Sequence, residues 1–255
     1  MQFLTRTFAA LRYHRRAYLA EFGFVLLLCA ASIVTLTVRA QGLGMRQNFS
    51  DRLAQFTPSA VSKAGQLVSS VKATYGQLDV RILWTWAALI AGTALVSFVL
   101  ALVFAHRRRE ESLAYMLVGK PTGAILGQYL LEGLIVALAA FLGIWLLCLL
   151  FGTTVADWLG HLTRTTFNDQ LKGTLTDGTV ARDLNQLMHQ HVTTFSGPGL
   201  LAPNQPLGPK PALALSGEVW TLAAVVGATT VGQAAAWLCQ LTHQRFRLRH
   251  PRQAA

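Results

Sequence analysis

Ala105 to Phe151 reads AHRRREESLAYMLVGKPTGAILGQYLLEGLIVALAAFLGIWLLCLLF. A long apolar run ends just before it. Three arginines and two glutamates follow, then the short helix-like segment Leu113–Val118. Gly119-Lys120-Pro121-Thr122-Gly123 breaks the pattern, and a second long apolar run closes the stretch. Two membrane helices joined by a short, basic, amphipathic connector read this way. A connector of this kind suits the passing of force between a membrane domain and a soluble partner beneath it.

Composition supports the membrane reading. Of 255 residues, 53% are hydrophobic and 13% charged, where a soluble domain usually carries about 25% charged residues. The formal net charge is +11. The arginines cluster beside apolar runs, so they speak to membrane orientation rather than to nucleic acid, for which no aromatic-plus-basic motif is present. Cys29, Cys148 and Cys239 all lie in apolar runs, with no metal-ligand spacing and no disulfide framework expected. His189 and His191 stand two apart in a polar stretch, a spacing that puts them on different faces of a helix and argues against a metal site.

Outward from the connector the chain divides into four apolar runs. Residues 1–16 mix Phe3, Leu4, Phe8 and Leu11 with Arg6, Arg12, Arg15 and Arg16, as an amphipathic helix on a membrane surface would. The first span is 17–38. Val38-Arg39-Ala40 loosely matches a signal-peptidase site, but the apolar run exceeds the usual 7–15 residues of a signal peptide. Segment 39–81 is polar, with one or two short amphipathic helices expected and Pro58 as a start or break. The second span is 82–105, led by Trp84 and Trp86 in the manner of interface anchors. The connector is 106–123, the third span 124–151, a second polar segment 152–218, the fourth span 219–241 and a basic tail 242–255. Ser196–Pro211 is too rich in proline and glycine for regular structure. The expected fold is therefore all-α, with four transmembrane helices.

Lysine and arginine set the orientation. Segments 1–16, 106–123 and 242–255 hold twelve of the 22, in under half the length of the two polar segments that hold the other ten. The denser set marks the cytoplasm, so both termini and the connector are expected inside, in a bacterial plasma membrane.

No catalytic constellation is present, and the chain is not expected to be an enzyme. Gly119-Lys120 lacks both the earlier glycine (Ala114 stands there) and the hydroxyl residue after lysine (Pro121 stands there) that a phosphate loop needs. Glu21 and Glu132 lie inside apolar runs and Glu218 at the mouth of another. Such acids are costly and mark function or pairing; their scatter favours structural pairing over a proton relay. Ala224, Ala228, Gly232 and Ala236 recur every four residues, a stripe that lets another helix approach closely, with Gln233 beside it.

The helix of the second span is expected to run on through Val118, since nothing from Ile82 onward breaks it. Gly119 would cap it in the left-handed conformation, with Pro121 preventing continuation. Leu113, Met116 and Leu117 would line one face.

Arg108-Arg109-Glu110, Leu113, Met116-Leu117-Val118-Gly119, Ile125 and Leu130-Leu131-Glu132 together resemble the FtsX-like permease domain, as does the basic entry into the first span. Glu111-Ser112 and Lys120-Pro121 depart from that family's pattern. The resemblance implies the membrane subunit of an ABC transporter of the mechanotransmission kind. This chain would bind no cofactor itself, and ATP and Mg would sit on a separate ATPase subunit. A second permease copy or paralogue and membrane lipid would be the other partners, and the substrate an antimicrobial peptide, a lipid or another hydrophobic molecule. Arg109, Glu110, Leu113, Met116, Leu117, Gly119 and Lys120 would form the ATPase-coupling surface. A non-transporting signal transmitter acting on a cell-wall hydrolase or sensor, and an unrelated four-span scaffold, are the competing readings.

Overall fold

Pro58 and Pro121 are the only prolines before residue 198, and both stand at helix starts. Elsewhere long runs of good helix formers meet no breaker, and the helices are correspondingly long. The computed structural model describes residues 2–175, 200 and 217–249. Its elements are α1 (Gln2–Tyr13), α2 (Arg15–Leu53), α3 (Pro58–Lys63), α4 (Gly65–Arg107), α5 (Arg109–Leu117), α6 (Thr122–Leu175), α7 (Glu218–Thr221), a π-helical segment (Leu222–Val226) and α8 (Gly227–Arg249). No strand occurs among the described residues. Among the described residues, four helices are long and apolar enough to cross a membrane: α2, α4, α6 and the continuous α7–π–α8 helix. At 39, 43 and 54 residues, the first three far exceed the roughly 20 that a hydrocarbon core needs. The Ser196–Pro211 tract, the helical spacing at Leu184, Leu187 and Met188, the pair His189 and His191, and the end of the basic tail lie outside the described residues.

The chain forms two compact units. Unit 1 comprises residues 1–32, 87–150 and 217–255. Its interior has two apolar clusters. One joins Val25 and Cys29 of α2 to Ala137, Ala140 and Phe141 of α6 and Val225 of the π segment. The other joins Ala101 and Ala105 of α4 to Ile125 and Tyr129 of α6 and to Ala236, Trp237 and Leu241 of α8. Tyr129 and Trp237 stack with centroids 3.8 Å apart.

Unit 2 comprises residues 33–86 and 151–216. Its core is aromatic and aliphatic: Met45, Phe49 and Leu53 of α2, Phe56, Ala60 of α3, Leu67, Val71 and Tyr75 of α4, Phe167 of α6, and Leu200. The spacings of four along α2, and of four between Leu67, Val71 and Tyr75 in α4, put each set on one helix face. Tyr75 stacks on Phe167 at 4.3 Å. Gln41 of α2 donates to the Ala156 carbonyl at 2.8 Å, fixing α2 against α6. The first polar segment is thus mostly a continuation of α2 and α4, with α3 the short helix expected at Pro58.

One expectation about helix continuity is corrected. The second span's helix does not run unbroken to Val118. It stops at Arg107, and Arg108 leaves the helical conformation at φ −97°, ψ 18° before α5 begins. Along the four-residue stripe, Ala224 lies in the π segment, while Ala228, Gly232 and Ala236 follow it on one face of α8. Gly232 and Ala236 are buried, and Ala224 and Ala228 are part-exposed.

Candidate functional site

The site lies at one end of unit 1, where α1, α2, α5, α6 and α8 converge. Its first requirement is the turn that makes α5 a separate element. The backbone keeps helical hydrogen bonds across Arg108: its N–H donates to the Phe104 carbonyl at 2.9 Å, and its carbonyl accepts from Ser112 N–H at 3.1 Å. Arg108 therefore departs from helical dihedrals without breaking the hydrogen-bonded run. Its side chain turns inward.

Arg108 is buried, and two nitrogens of its guanidinium donate to named partners. Nη1 donates to Glu132 Oε2 at 2.6 Å and to the Tyr18 hydroxyl at 3.0 Å. Nε donates to Glu111 Oε2 at 2.9 Å. The guanidinium also lies 4.6 Å over the Tyr129 ring. Glu132 is 0% exposed; besides Arg108 it accepts from the Tyr18 hydroxyl and, at 3.4 Å, from Gln128 Nε2. A carboxylate in such a place costs several kcal/mol unless paired and hydrogen-bonded, and here both conditions are met. Glu132 thus takes the arginine partner that structural pairing requires. The arginine is Arg108, outside the set Arg109, Glu110, Leu113 and so on that the sequence nominated.

Two further contacts complete the attachment of α5. Glu111 Oε1 lies 3.2 Å from His14 Nε2, at the turn between α1 and α2. Partial burial raises the Glu111 carboxyl pKa, but hydrogen bonds and charge from Arg108, with His14 adding to them, outweigh it and hold the group below its ordinary range. Ser112, wholly buried, donates to the Arg109 carbonyl at 2.9 Å and shares a 3.0 Å hydrogen bond with Gln244 Oε1 of α8.

These anchors decide which face of α5 turns outward. Ser112, Tyr115 and Met116 face the unit's interior. Ala114, Leu117 and Val118 face away. The expected face of Leu113, Met116 and Leu117 is therefore split: Leu113 and Met116 are half-buried, while Leu117 and Val118 are 78% and 79% exposed. Glu110 is exposed and Arg109 half-buried.

The end of α5 is as the sequence indicated. Gly119 adopts φ +84°, the left-handed conformation open to glycine. Gly119 N–H donates to the Met116 carbonyl at 3.0 Å and Lys120 N–H to the Tyr115 carbonyl at 3.1 Å, the paired bonds of a Schellman cap. Lys120 then folds back, its Nζ 4.2 Å over the Tyr115 ring. Pro121 ends the connector, and its carbonyl accepts from Ala124 at 3.0 Å to start α6.

Deeper in unit 1, Glu21 is 4% exposed and accepts a hydrogen bond from Gln233 Nε2 of α8. Gly133 of α6 makes room for that amide, since a side chain there would occupy the same space. Gly232 brings α8 against the backbone of α4: a β-carbon on it would contact the Ala94 carbonyl and come within 3.1 Å of Phe98 N. At the opposite end of α8's long helix, Glu218 accepts from Trp145 Nε1 at 3.2 Å. The three cysteines are free. Among the described residues no group of three or more metal-ligating side chains forms.

No protein-family model, no curated protein and no solved structure matches this chain.

Proposed function

We propose that this chain is the membrane subunit of an ABC transporter of the FtsX-like kind. In this reading both termini and α5 face the cytoplasm of a bacterial cell, a separate ATPase docks beneath α5, and a second permease completes the complex. The cargo class is a peptide, lipid or other hydrophobic molecule. One observation carries the reading. α5 is fixed to α2 and α6 through Arg108, to the α1–α2 turn through Glu111, and to α8 through Ser112, yet Leu117 and Val118 point outward. A short helix with a rigid base and an exposed apolar tip is built to receive force and pass it on. An ATPase groove that grips Leu117 and Val118 would move α2, α6 and α8 together.

Helix-in-groove contacts concentrate their energy in a few apolar residues. Leu117→Asp should therefore abolish co-purification of the suspected ATPase and the permease-dependent part of ATP hydrolysis. Membrane levels and melting temperature should be unchanged, because Leu117 is 78% exposed. Glu110→Lys should act in the same direction but more weakly, and more visibly at low salt. Wild-type co-purification and activity in Leu117→Asp would remove α5 from the coupling step.

A further inference from the structure

Unit 2 has a recess that the transport reading does not use. α2 and α4 flank it, and its charged lining is Arg39, Arg46 and Asp79. Arg39 Nε donates to Asp79 Oδ1 at 2.7 Å, and Arg39 makes no other ion pair among the described residues. Arg46 lies seven residues on from Arg39, two turns along the same face of α2. It is exposed and forms no ion pair among the described residues. Gly42 stands between the two arginines and keeps the floor low: a β-carbon there would lie 3.8 Å from Leu78 Cδ2. The enclosed space is about 10 Å³, room for about one water, so a larger group would sit at its mouth. The mouth suits one charged group whose remainder lies outside.

The sequence places this recess at a bilayer boundary. Arg39 directly follows the first apolar run and Asp79 lies just ahead of the second. Their contact puts the ends of two spans at one level. Trp84, largely exposed, stands on the next turn and a half of α4, where an indole marks the headgroup region. Leu43 beside Gly42 is also part-exposed and offers an apolar edge. Arg39 at the end of the first span and Arg46 two turns beyond it, the latter without an ion pair among the described residues, are two cations complementary to a phosphodiester.

We propose that the Arg39–Arg46 recess binds the phosphate of a membrane phospholipid, in the leaflet where the first span ends and the second begins. Asp79 holds Arg39 in place and limits the net charge, while Arg46 makes the principal contact. The proposal rests on the chain's crossing a membrane and is independent of the ATPase reading.

The test uses the full chain, purified, stripped of lipid and offered defined ligands, with retained lipid counted by native mass spectrometry. Wild type should retain phosphatidylglycerol and should not retain diacylglycerol with the same acyl chains. Arg46→Gln should lower apparent affinity roughly tenfold, as expected for loss of one charge-assisted contact. Asp79→Asn should raise it by releasing Arg39. Lys72→Gln, an exposed cation elsewhere on α4, should match wild type. Equal retention by wild type and Arg46→Gln overturns the proposal, as does equal loss in Lys72→Gln, which would mean diffuse charge attraction. Retention of diacylglycerol would mean an acyl-chain groove. Displacement of the lipid by inorganic phosphate at millimolar concentration would mean a free-anion site. An unchanged Asp79→Asn variant would remove Arg39 from the contact. Binding of ATPase, read separately through Leu117→Asp, stands or falls without reference to any of these outcomes.

Discussion

In unit 2 the buried side chains include Phe49, Phe56, Leu67, Tyr75 and Phe167 and the hydroxyl residues Thr37 and Thr163, and the ion pair seen among its described residues, Arg39–Asp79, is partly open to solvent. In unit 1 the buried set includes Glu21, Arg108, Gln128, Glu132 and Gln233, while Leu27, Leu95, Leu142 and Leu149 are more than half exposed. Water surrounds a soluble domain and drives apolar groups inward. Hydrocarbon solvates leucine as well as a protein interior does, so it gives helices no such reason to associate. They meet instead through close packing and through polar groups with nowhere else to go. The contrast teaches where each unit's specificity resides: in shape for unit 2, and in a few hydrogen-bonded charges for unit 1.

The largest expected effects lie at the two centres, and reversal tells them apart. Arg108→Leu leaves Glu132 buried without its cation and should cost about 3–5 kcal/mol. Phe49→Ala leaves a cavity in unit 2 and should cost a similar amount, about 3–5 kcal/mol. Adding Glu132→Leu to Arg108→Leu should restore much of the loss, because it removes the stranded charge. No second truncation should restore Phe49→Ala. Thermal unfolding in detergent, with proteolysis to locate the loosened unit, reads both. Failure of the double variant to recover would mean that the geometry of the network, and not its charge balance, holds α5 in place.

Gly232→Leu should rank next. It forces α8 away from the α4 backbone at Ala94 and Phe98, an overpacking cost of about 1–3 kcal/mol. It sharpens the comparison because the loss should be confined to unit 1, with unit 2 as resistant to protease as before. An unchanged melting temperature would show that the α4–α8 approach can open without penalty.

Acidification should have the smallest effect. The Glu111 carboxyl is held below the ordinary glutamate value of 4.5, so its folded state favours the charged form. Its contribution is complete above that value and disappears as pH falls through the depressed folded-state value. Since Glu111 is part-exposed, the step should be small. It should appear as release of α5, read by a fluorophore at exposed Ala114, before unit 1 itself melts. Glu111→Gln should remove the step, and its persistence in that variant would assign it to another group.

Much of this was legible in the chain. The four long apolar helices follow from composition, and Gly119 with Pro121 announced the end of α5 because only glycine adopts that backbone angle easily and proline cannot continue a helix. The bend at Arg108 was not legible. Arginine is a good helix former, and what turns it inward is Glu132, 24 residues later on a neighbouring helix. Which side of α5 turns outward was not legible for the same reason. Leu113, Met116 and Leu117 form the more apolar face, but Ser112 is drawn inward by Gln244, which leaves Leu117 outside. Glu21 and Glu132 were visible as costly residues, whereas their partners, Gln233 and Arg108, depended on helix packing. The π segment, LAAVV, has no local signature at all.

That segment bears on how the chain can change its length. A π-helical turn is an α-helix carrying one surplus residue. Deleting Ala223 or Ala224 would let the stretch close into ordinary helix, with Thr221 still opposite Ser32, whose hydroxyls lie 2.9 Å apart, and Gly232 still against α4. Deleting a residue within Gly227–Gly232 would instead rotate everything beyond it by about 100° and carry Gln233 away from Glu21. Leu222–Val226 is thus a place in the last span where the reading frame of helix faces has slack, and single-residue loss should be tolerated there and not within Gly227–Gly232.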